Sequence, residues 1–287
     1  MRFNVKNAGL RTLAYAGARY GPRPWIEYSP AFFGALFACL LGEERRTVRR
    51  NLKRLLGDRP YVTEQLDVLR TFVSYAHCLA ESLAMDRPEA HSAEPAVVGV
   101  EHLDAALAGG RGVVLVTAHT GAWDAAARSL TRDRDLEVTV VMAAEPDADA
   151  RMLHDSVRGR AGISIVHSGQ EPLDALKLLR RLRDGGAVAV QLDRAASADG
   201  NLRPLLGGVP LPVPEGPFRL ASLSGAPIVP VLARRVGFFR YEVHVRPPIF
   251  VQRRADPREL ARAASAAVSE IERFLQQNAT QWFHFSG

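Results

Sequence analysis

Cysteine is scarce in this chain: two residues, Cys39 and Cys78, among 287. Neither stands near a second Cys or a spaced pair of His, which argues against a disulfide framework and a thiolate zinc site and for a reducing compartment. Long apolar runs are missing too. The longest, Ala31 to Gly42, has about 12 residues, whereas a helix needs roughly 20 to cross a bilayer. No secretory leader is visible, because Arg11, Arg19, Pro22, Arg23, Pro24 and Pro30 interrupt the opening stretch.

Several catalytic signatures are also lacking. No Gly-x-Ser-x-Gly elbow is present, and neither cysteine flanks a histidine motif, so nothing points to a covalent acyl-enzyme. There is no His-Glu-x-x-His zinc motif and no phosphate-binding Gly-Lys-Ser/Thr loop. The glycines of Gly109-Gly110-Arg111-Gly112 precede a strand instead of following one. Metalloprotease, nucleotidase and dehydrogenase chemistry therefore have no anchor, and no bound cofactor or metal is expected.

What is present is ample apolar material, 47% of the chain, enough for a full core. The net charge of +6 is unevenly placed. Residues 1–60 carry 12 basic and 4 acidic side chains, and the rest is nearly neutral. A basic pole on a neutral body suits an anionic surface, unless it is simply a solvated helix face. Ser29-Pro30 reads as a cap and first turn for a helix over the Ala31 to Gly42 run, leading into Arg45, Arg46, Arg49, Arg50, Lys53 and Arg54. Apolar side chains followed by arginines one turn apart suit the plane of a membrane interface as well as a core helix with a wet end.

The hydrophobic rhythm divides the chain into residues 1–95 and 96–287. Leu66, Leu69, Phe72, Val73, Ala76, Leu79, Ala80 and Leu83 recur at helical spacing, so the first part reads as helical. From Val97 onward short β-branched runs alternate with helical stretches. Strands fall at Val113 to Thr117, Val138 to Met142, Ile163 to Val166, Ala187 to Leu192, Ile228 to Leu232 and Tyr241 to Val245. This alternation predicts an α/β fold with a mixed, largely parallel sheet flanked by helices. Val229 to Arg235 and Arg240 to Arg246 read as an antiparallel hairpin at its edge, and 257–277 as a last helix. The Pro210, Pro212, Pro214 ladder after Gly207-Gly208 reads as a loop of extended backbone, a plain connector sooner than the wall of an acyl groove.

One constellation carries chemistry. The strand Val113 to Thr117 runs into Ala118-His119-Thr120-Gly121-Ala122-Trp123-Asp124 and then an Ala-rich helix, which sets a His and an Asp where α/β folds place their sites. On one regular helix a five-residue step turns by about 500°, so these two side chains meet only if His119 precedes the first helical turn. Gly121 makes such a bend cheap. A carboxylate on Nδ1 would leave Nε2 free to take a proton from a hydroxyl. Backbone N–H groups opening the helix after Gly121 would suit an oxyanion or a phosphate. The other histidines show no spacing that pairs them with carboxylates.

The segment from Val98-Gly99-Val100-Glu101-His102-Leu103 to Asp124 resembles the approach to the His-x-x-x-x-Asp/Glu motif of the bacterial lipid A biosynthesis acyltransferases, within the glycerolipid and lysophospholipid acyltransferase superfamily. Further blocks are similar and stand in the same order. They are Arg49-Arg50-Asn51-Leu52, Arg158-Gly159-Arg160-Ala161-Gly162-Ile163, Leu192-Asp193-Arg194, Pro214-Glu215-Gly216-Pro217 and Gln281-Trp282-Phe283-His284. Departures are the short apolar run in place of a spanning N-terminal helix, Ala122 where Asn is frequent, and Asp124 where Glu is frequent.

The resemblance implies an acyltransferase-type fold and an O-acyltransferase that carries a fatty acyl group from a thioester to a hydroxyl of a lipid or lipid-like acceptor. His119 would be the general base and Asp124 its orienting carboxylate. Thr120, Gly121, Trp123, Arg158, Arg160, Asp193, Arg194, Glu215 and Gly216 would contact substrate, with the arginines on phosphate. The implied partners are acyl carrier protein or coenzyme A as thioester co-substrate, a lipid acceptor and an anionic membrane surface, without nucleic acid. The expected place is peripheral, on the cytoplasmic face of the inner membrane. An acyl thioesterase using the same His and Asp, and a membrane-binding module without catalysis, are the alternatives.

Overall fold

A computed structural model of the chain describes residues 15–85, 87, 95–121, 136–143, 164–168, 173–194 and 201–285. After a helical stretch at residues 15–20 come α1 (Arg23–Leu40), α2 (Gly42–Leu56) and α3 (Tyr61–Leu83). The helix expected to start at Ser29-Pro30 starts earlier. Pro22 caps it and Pro24 sits in its first turn, while Pro30 lies inside it and is buried. One early proline is free because the first-turn N–H has no partner anyway; the internal one costs a single backbone bond, which burial offsets. At Leu41 the chain turns by 98°, so the apolar run and the arginines occupy separate helices.

The strands and helices that follow are β1 (Ala96–Val98), α4 (Val100–Leu107), β2 (Val113–Thr117), β3 (Val138–Ala143), β4 (Ser164–Ser168), α5 (Asp174–Arg183) and β5 (Ala187–Gln191). Then come four two-residue strands, β6 (Asn201–Leu202), β7 (Leu205–Leu206), β8 (Val209–Pro210) and β9 (Val213–Pro214). The chain continues as α6 (Gly216–Ser224), β10 (Ile228–Gly237), β11 (Arg240–Val245), α7 (Pro257–Gln277) and a 3-10 turn, Ala279–Gln281.

The main sheet has seven strands among the described residues, ordered β1-β11-β10-β2-β5-β3-β4. Only β10 and β11 pair antiparallel; β1 with β11 and all other neighbours pair parallel. The sheet is therefore mixed and largely parallel, as expected. The hairpin is not its edge, because β1 lies outside β11 and takes up that strand's free backbone groups. The ladder of prolines is not a plain connector either. β6 pairs with β9 and β7 with β8, and Gly207 and Gly208, at φ 56° and 73°, close the inner pair as a two-residue turn that needs positive φ at both positions.

Residues of β2 alternate between two cores. Val114 and Val116 join the larger one, with Leu52 and Leu55 of α2, Val68 and Phe72 of α3, Phe218 of α6 and Leu260, Val268 and Ile271 of α7. Val113 and Leu115 face the second, with Leu103 and Ala106 of α4. A central strand buried on both faces explains the unbroken apolar run Val113 to Val116. The helices of residues 42–83 thus share a core with the sheet.

Helix α7 buries Leu260, Ala263, Ala264, Ala267, Val268, Ile271, Phe274 and Leu275, one stripe at helical spacing. Asp256 caps it by accepting from the Glu259 N–H at 2.8 Å. Its far end delivers the chain to the 3-10 turn and on to Trp282. Glu81 of α3 is buried and accepts from Arg235 Nε at 2.7 Å and from the Tyr241 hydroxyl, tying α3 to the β10–β11 hairpin.

Candidate active site

Strands β2 and β5 are parallel neighbours, and their ends are in register, with Thr117 opposite Gln191. Two residues beyond each end the chain reaches His119 and Asp193. Residues 74 apart in sequence are thereby set side by side. The Leu192 N–H donates to the Thr117 carbonyl at 2.8 Å and carries the ladder one step past the strands.

The His119 ring donates from Nδ1 to Asp193 Oδ1 at 2.7 Å, and the His119 backbone N–H reaches both carboxylate oxygens at 3.1 Å. The Trp282 indole N–H donates to Oδ2 at 2.9 Å. The Asp193 side chain is 1% exposed, while that of His119 is 24% exposed. Burial by itself pushes the Asp193 pKa up. The charge and hydrogen bond of His119 outweigh it, with smaller help from His284 and the Trp282 N–H, and hold the group well below the usual carboxylate range. A carboxylate so placed accepts, so Nδ1 carries the hydrogen, and in the neutral ring Nε2 is the nitrogen with the lone pair. Asp193 supports the fold fully above the ordinary Asp pKa near about 3.9, and that support is lost as pH falls below it.

Gly121 makes the bend possible. Its φ is +41°, and a Cβ there would lie 2.3 Å from the Ala233 carbonyl oxygen of β10. His119 accordingly lies in a bend just beyond the end of β2. The C-terminal segment locks this loop from the other side. The Phe283 N–H donates to the His119 carbonyl at 2.7 Å, the Gly121 N–H to the Gln281 carbonyl at 3.3 Å, and Thr120 and Trp282 form an antiparallel bridge. The Gln281 side chain is held by both the N–H and the carbonyl of Arg235, at 2.7 and 2.8 Å.

The candidate residues meet different fates. His119, Thr120, Gly121, Asp193 and Arg194 come together at the C-terminal ends of β2 and β5. Asp193, grouped with the substrate contacts in the sequence reading, has its carboxylate committed to His119 and Trp282 in a closed position. Thr120 is fully buried, and its Oγ1 has no hydrogen-bond partner among the described residues. Arg194 donates to the Phe283 carbonyl at 2.6 Å. Glu215 and Gly216 open α6, and Glu215 pairs with Arg219 at 2.9 Å. Because α6 ends three residues before β10 begins, its first turn lies toward the same end of the sheet as His119. Trp123, Asp124, Arg158 and Arg160, with the backbone opening the helix after Gly121, lie outside the described residues.

Two residues escaped the reading by spacing. Trp282 gave no sign of a bond to a carboxylate. His284, which no spacing linked to a carboxylate, is held by an amide: the Asn51 side-chain NH2 donates to its carbonyl at 2.8 Å and lies 3.2 Å from its Nδ1. A carbonyl can only accept, so the amide nitrogen is the end that faces His284, and Nδ1 accepts its second hydrogen. Burial lowers the His284 pKa to about 4 and leaves the ring neutral at pH 7. The signal that could have found both was the resemblance of their sequence blocks to the family's, which carried no role for either residue.

Fold and site define an α/β protein with an aspartate-steered, partly open histidine at the mouth of a parallel sheet. Residues 9–286 match the model of the bacterial lipid A biosynthesis acyltransferase family, and the chain belongs to that family. It is 30% identical over 188 residues to a phosphatidylinositol mannoside acyltransferase of Mycobacterium tuberculosis, across 64% of this chain and 59% of that protein. It is 29% identical over 202 residues to the protein of the same description from Mycolicibacterium smegmatis, across 69% of this chain and 65% of that one. The chain thus spans about three-fifths of the length of the curated relatives it matches.

Proposed function

We propose that this protein is an acyl-thioester-dependent O-acyltransferase whose acceptor is a phosphate-bearing lipid. The observation that carries the reading is the bond between Asp193 and His119 Nδ1, which leaves Nε2 of a partly exposed ring as the base. In the proposed reaction Nε2 takes the proton of the acceptor hydroxyl while that oxygen attacks the thioester carbonyl carbon. The tetrahedral intermediate collapses with cleavage of the C–S bond, and the imidazolium returns the proton to the leaving thiolate. No residue is acylated.

The orienting carboxylate is assigned to Asp193 on its geometry, and the motif's Asp124 is the rival for that part. Arg194, with Arg158 and Arg160, is proposed to neutralise phosphate on the acceptor or on the pantetheine arm of acyl carrier protein or coenzyme A. The names of the mycobacterial relatives make phosphatidylinositol mannosides the first acceptors to try. Incubated with a labelled long-chain acyl thioester and such a glycolipid, the protein is expected to give labelled acylated lipid. Free fatty acid released at a rate no acceptor alters would mean that water is the natural acceptor, and the thioesterase reading would replace this one.

The same reading places the protein peripherally on an anionic membrane surface. No single helix among the described residues is long and apolar enough to cross a bilayer. Tyr28, Phe32, Leu36 and Leu40, one turn apart on α1, are nonetheless exposed, as are Tyr61, Val62, Leu66 and Leu79 on α3. The arginines of α2 begin at the 98° bend beside them. An apolar stripe next to a basic helix matches an interface of acyl chains and phosphates. Co-sedimentation with vesicles containing phosphatidylglycerol is expected to exceed that with pure phosphatidylcholine and to drop several-fold in a Phe32→Ser, Leu36→Ser variant. Equal binding of variant and parent would rule this face out.

A further inference from the structure

Trp282 is 3% exposed and its indole has one polar atom, which is aimed at the carboxylate that steers the base. An aromatic needed only to fill space has no reason to place its N–H there. The acceptor sites of Asp193 show what that bond does. Oδ1 takes the His119 Nδ1–H at 2.7 Å and shares the His119 backbone N–H, whereas Oδ2 has, among the described residues, only the other half of that shared bond and the indole N–H. In a site closed to solvent, no water replaces a lost donor.

The ring itself is held on every side. Its backbone bridges Thr120, the next residue's N–H holds the His119 carbonyl, and its face stacks on His284 at 5.3 Å and 10°. His284 is fixed in turn by Asn51 of α2. The indole is therefore delivered to Oδ2 by a clamp that also grips the histidine loop.

From this geometry we propose that Trp282 is a positioning residue of the His119–Asp193 pair, its N–H fixing which carboxylate oxygen meets Nδ1 and moderating the negative charge that the imidazolium experiences. The proposal rests on His119 being the base of the proposed transfer, and it deepens that reading.

Trp282→Phe keeps an aromatic ring opposite His284, removes the donor and leaves a smaller side chain in a closed site, so a melting curve accompanies the rates. The expected result is a fall in kcat of about tenfold, the scale of one hydrogen bond to a charged group, with KM for donor and acceptor within about twofold of the parent. The acidic limb of the pH–rate profile is expected to move to higher pH, because a carboxylate relieved of one donor stabilises the protonated imidazole more strongly. A rate loss with an unmoved limb, or no loss at all, would reduce Trp282 to packing and overturn the proposal.

A measurement on the unaltered protein stands even if the variant does not fold and even if no acyl transfer is found. The chain has three tryptophans, so the Trp282 indole 15N–1H signal can be assigned by replacing Trp25 and Trp123. That signal is expected to titrate with the same midpoint as the His119 ring and to stop doing so in His119→Gln. An indole signal that ignores the His119 titration would overturn the proposal while leaving the acyltransferase reading untouched.

Discussion

Replacing His119 by alanine is expected to lower acyl transfer by about 10³-fold or more, the range supplied by one well-placed general base, while vesicle binding stays near that of the parent and some thermal stability is lost, because the buried Asp193 carboxylate loses its Nδ1 donor. Alanine removes the base without opening the core, because the ring is partly exposed and the loop is held by its backbone. The His119 carbonyl accepts from the Phe283 N–H, and the His119 N–H still caps the Asp193 carboxylate. The measurement is kcat/KM for labelled thioester and lipid, alongside a melting curve. Transfer at the parental rate would remove His119 from the mechanism, and with it the reading of the site as a base-driven acyl transfer centre.

Asp193→Asn is expected to cost nearly as much, about 10³-fold, through a different route. Two fixed donors, the His119 backbone N–H and the Trp282 indole, point at this position. The asparagine carbonyl must satisfy them, which turns its NH2 toward His119 Nδ1. Nδ1 then becomes the acceptor, and the ring hydrogen moves to Nε2, where the lone pair is needed. The loss should appear in kcat, with KM little changed. The side chain is buried, so some stability is lost as well, and a melting curve at the assay temperature separates the two effects. Asp124→Asn is the companion variant. A large loss there beside a parental rate in Asp193→Asn would transfer the orienting part to Asp124.

Much of the architecture could be read along the chain. The alternation of β-branched runs with helical stretches marks a layered α/β protein, because a two-residue period and a 3.6-residue period are local consequences of where each side chain points. The arginine-rich α2, the Ala-striped α7 and the His119 bend at Gly121 all follow from that kind of local pattern. Pairing between strands does not. Nothing in Ala96 to Val98 says that this strand will flank β11, and the register of Thr117 against Gln191 depends on where every intervening element packs. The same limit explains the start of α1. Pro30 is a good first-turn residue in isolation, and only its burial within the packed helix shows that the helix absorbs it.

The site divides along the same line. His119 announces itself, since a histidine leaving a buried strand through a glycine bend is a short-range pattern. Its aspartate and tryptophan partners are long-range, 74 and 163 positions away, and were visible only as members of separate blocks with no stated link to the ring. By itself, then, the amino-acid order determined the main strands, most of the helices, the bend and the histidine within it, because backbone and rotamer preferences act over a few residues. Which carboxylate meets that base, and which indole holds the carboxylate, was decided by sheet register and by the path of the C-terminal segment. Those depend on burying apolar faces from distant parts of the chain in one common core.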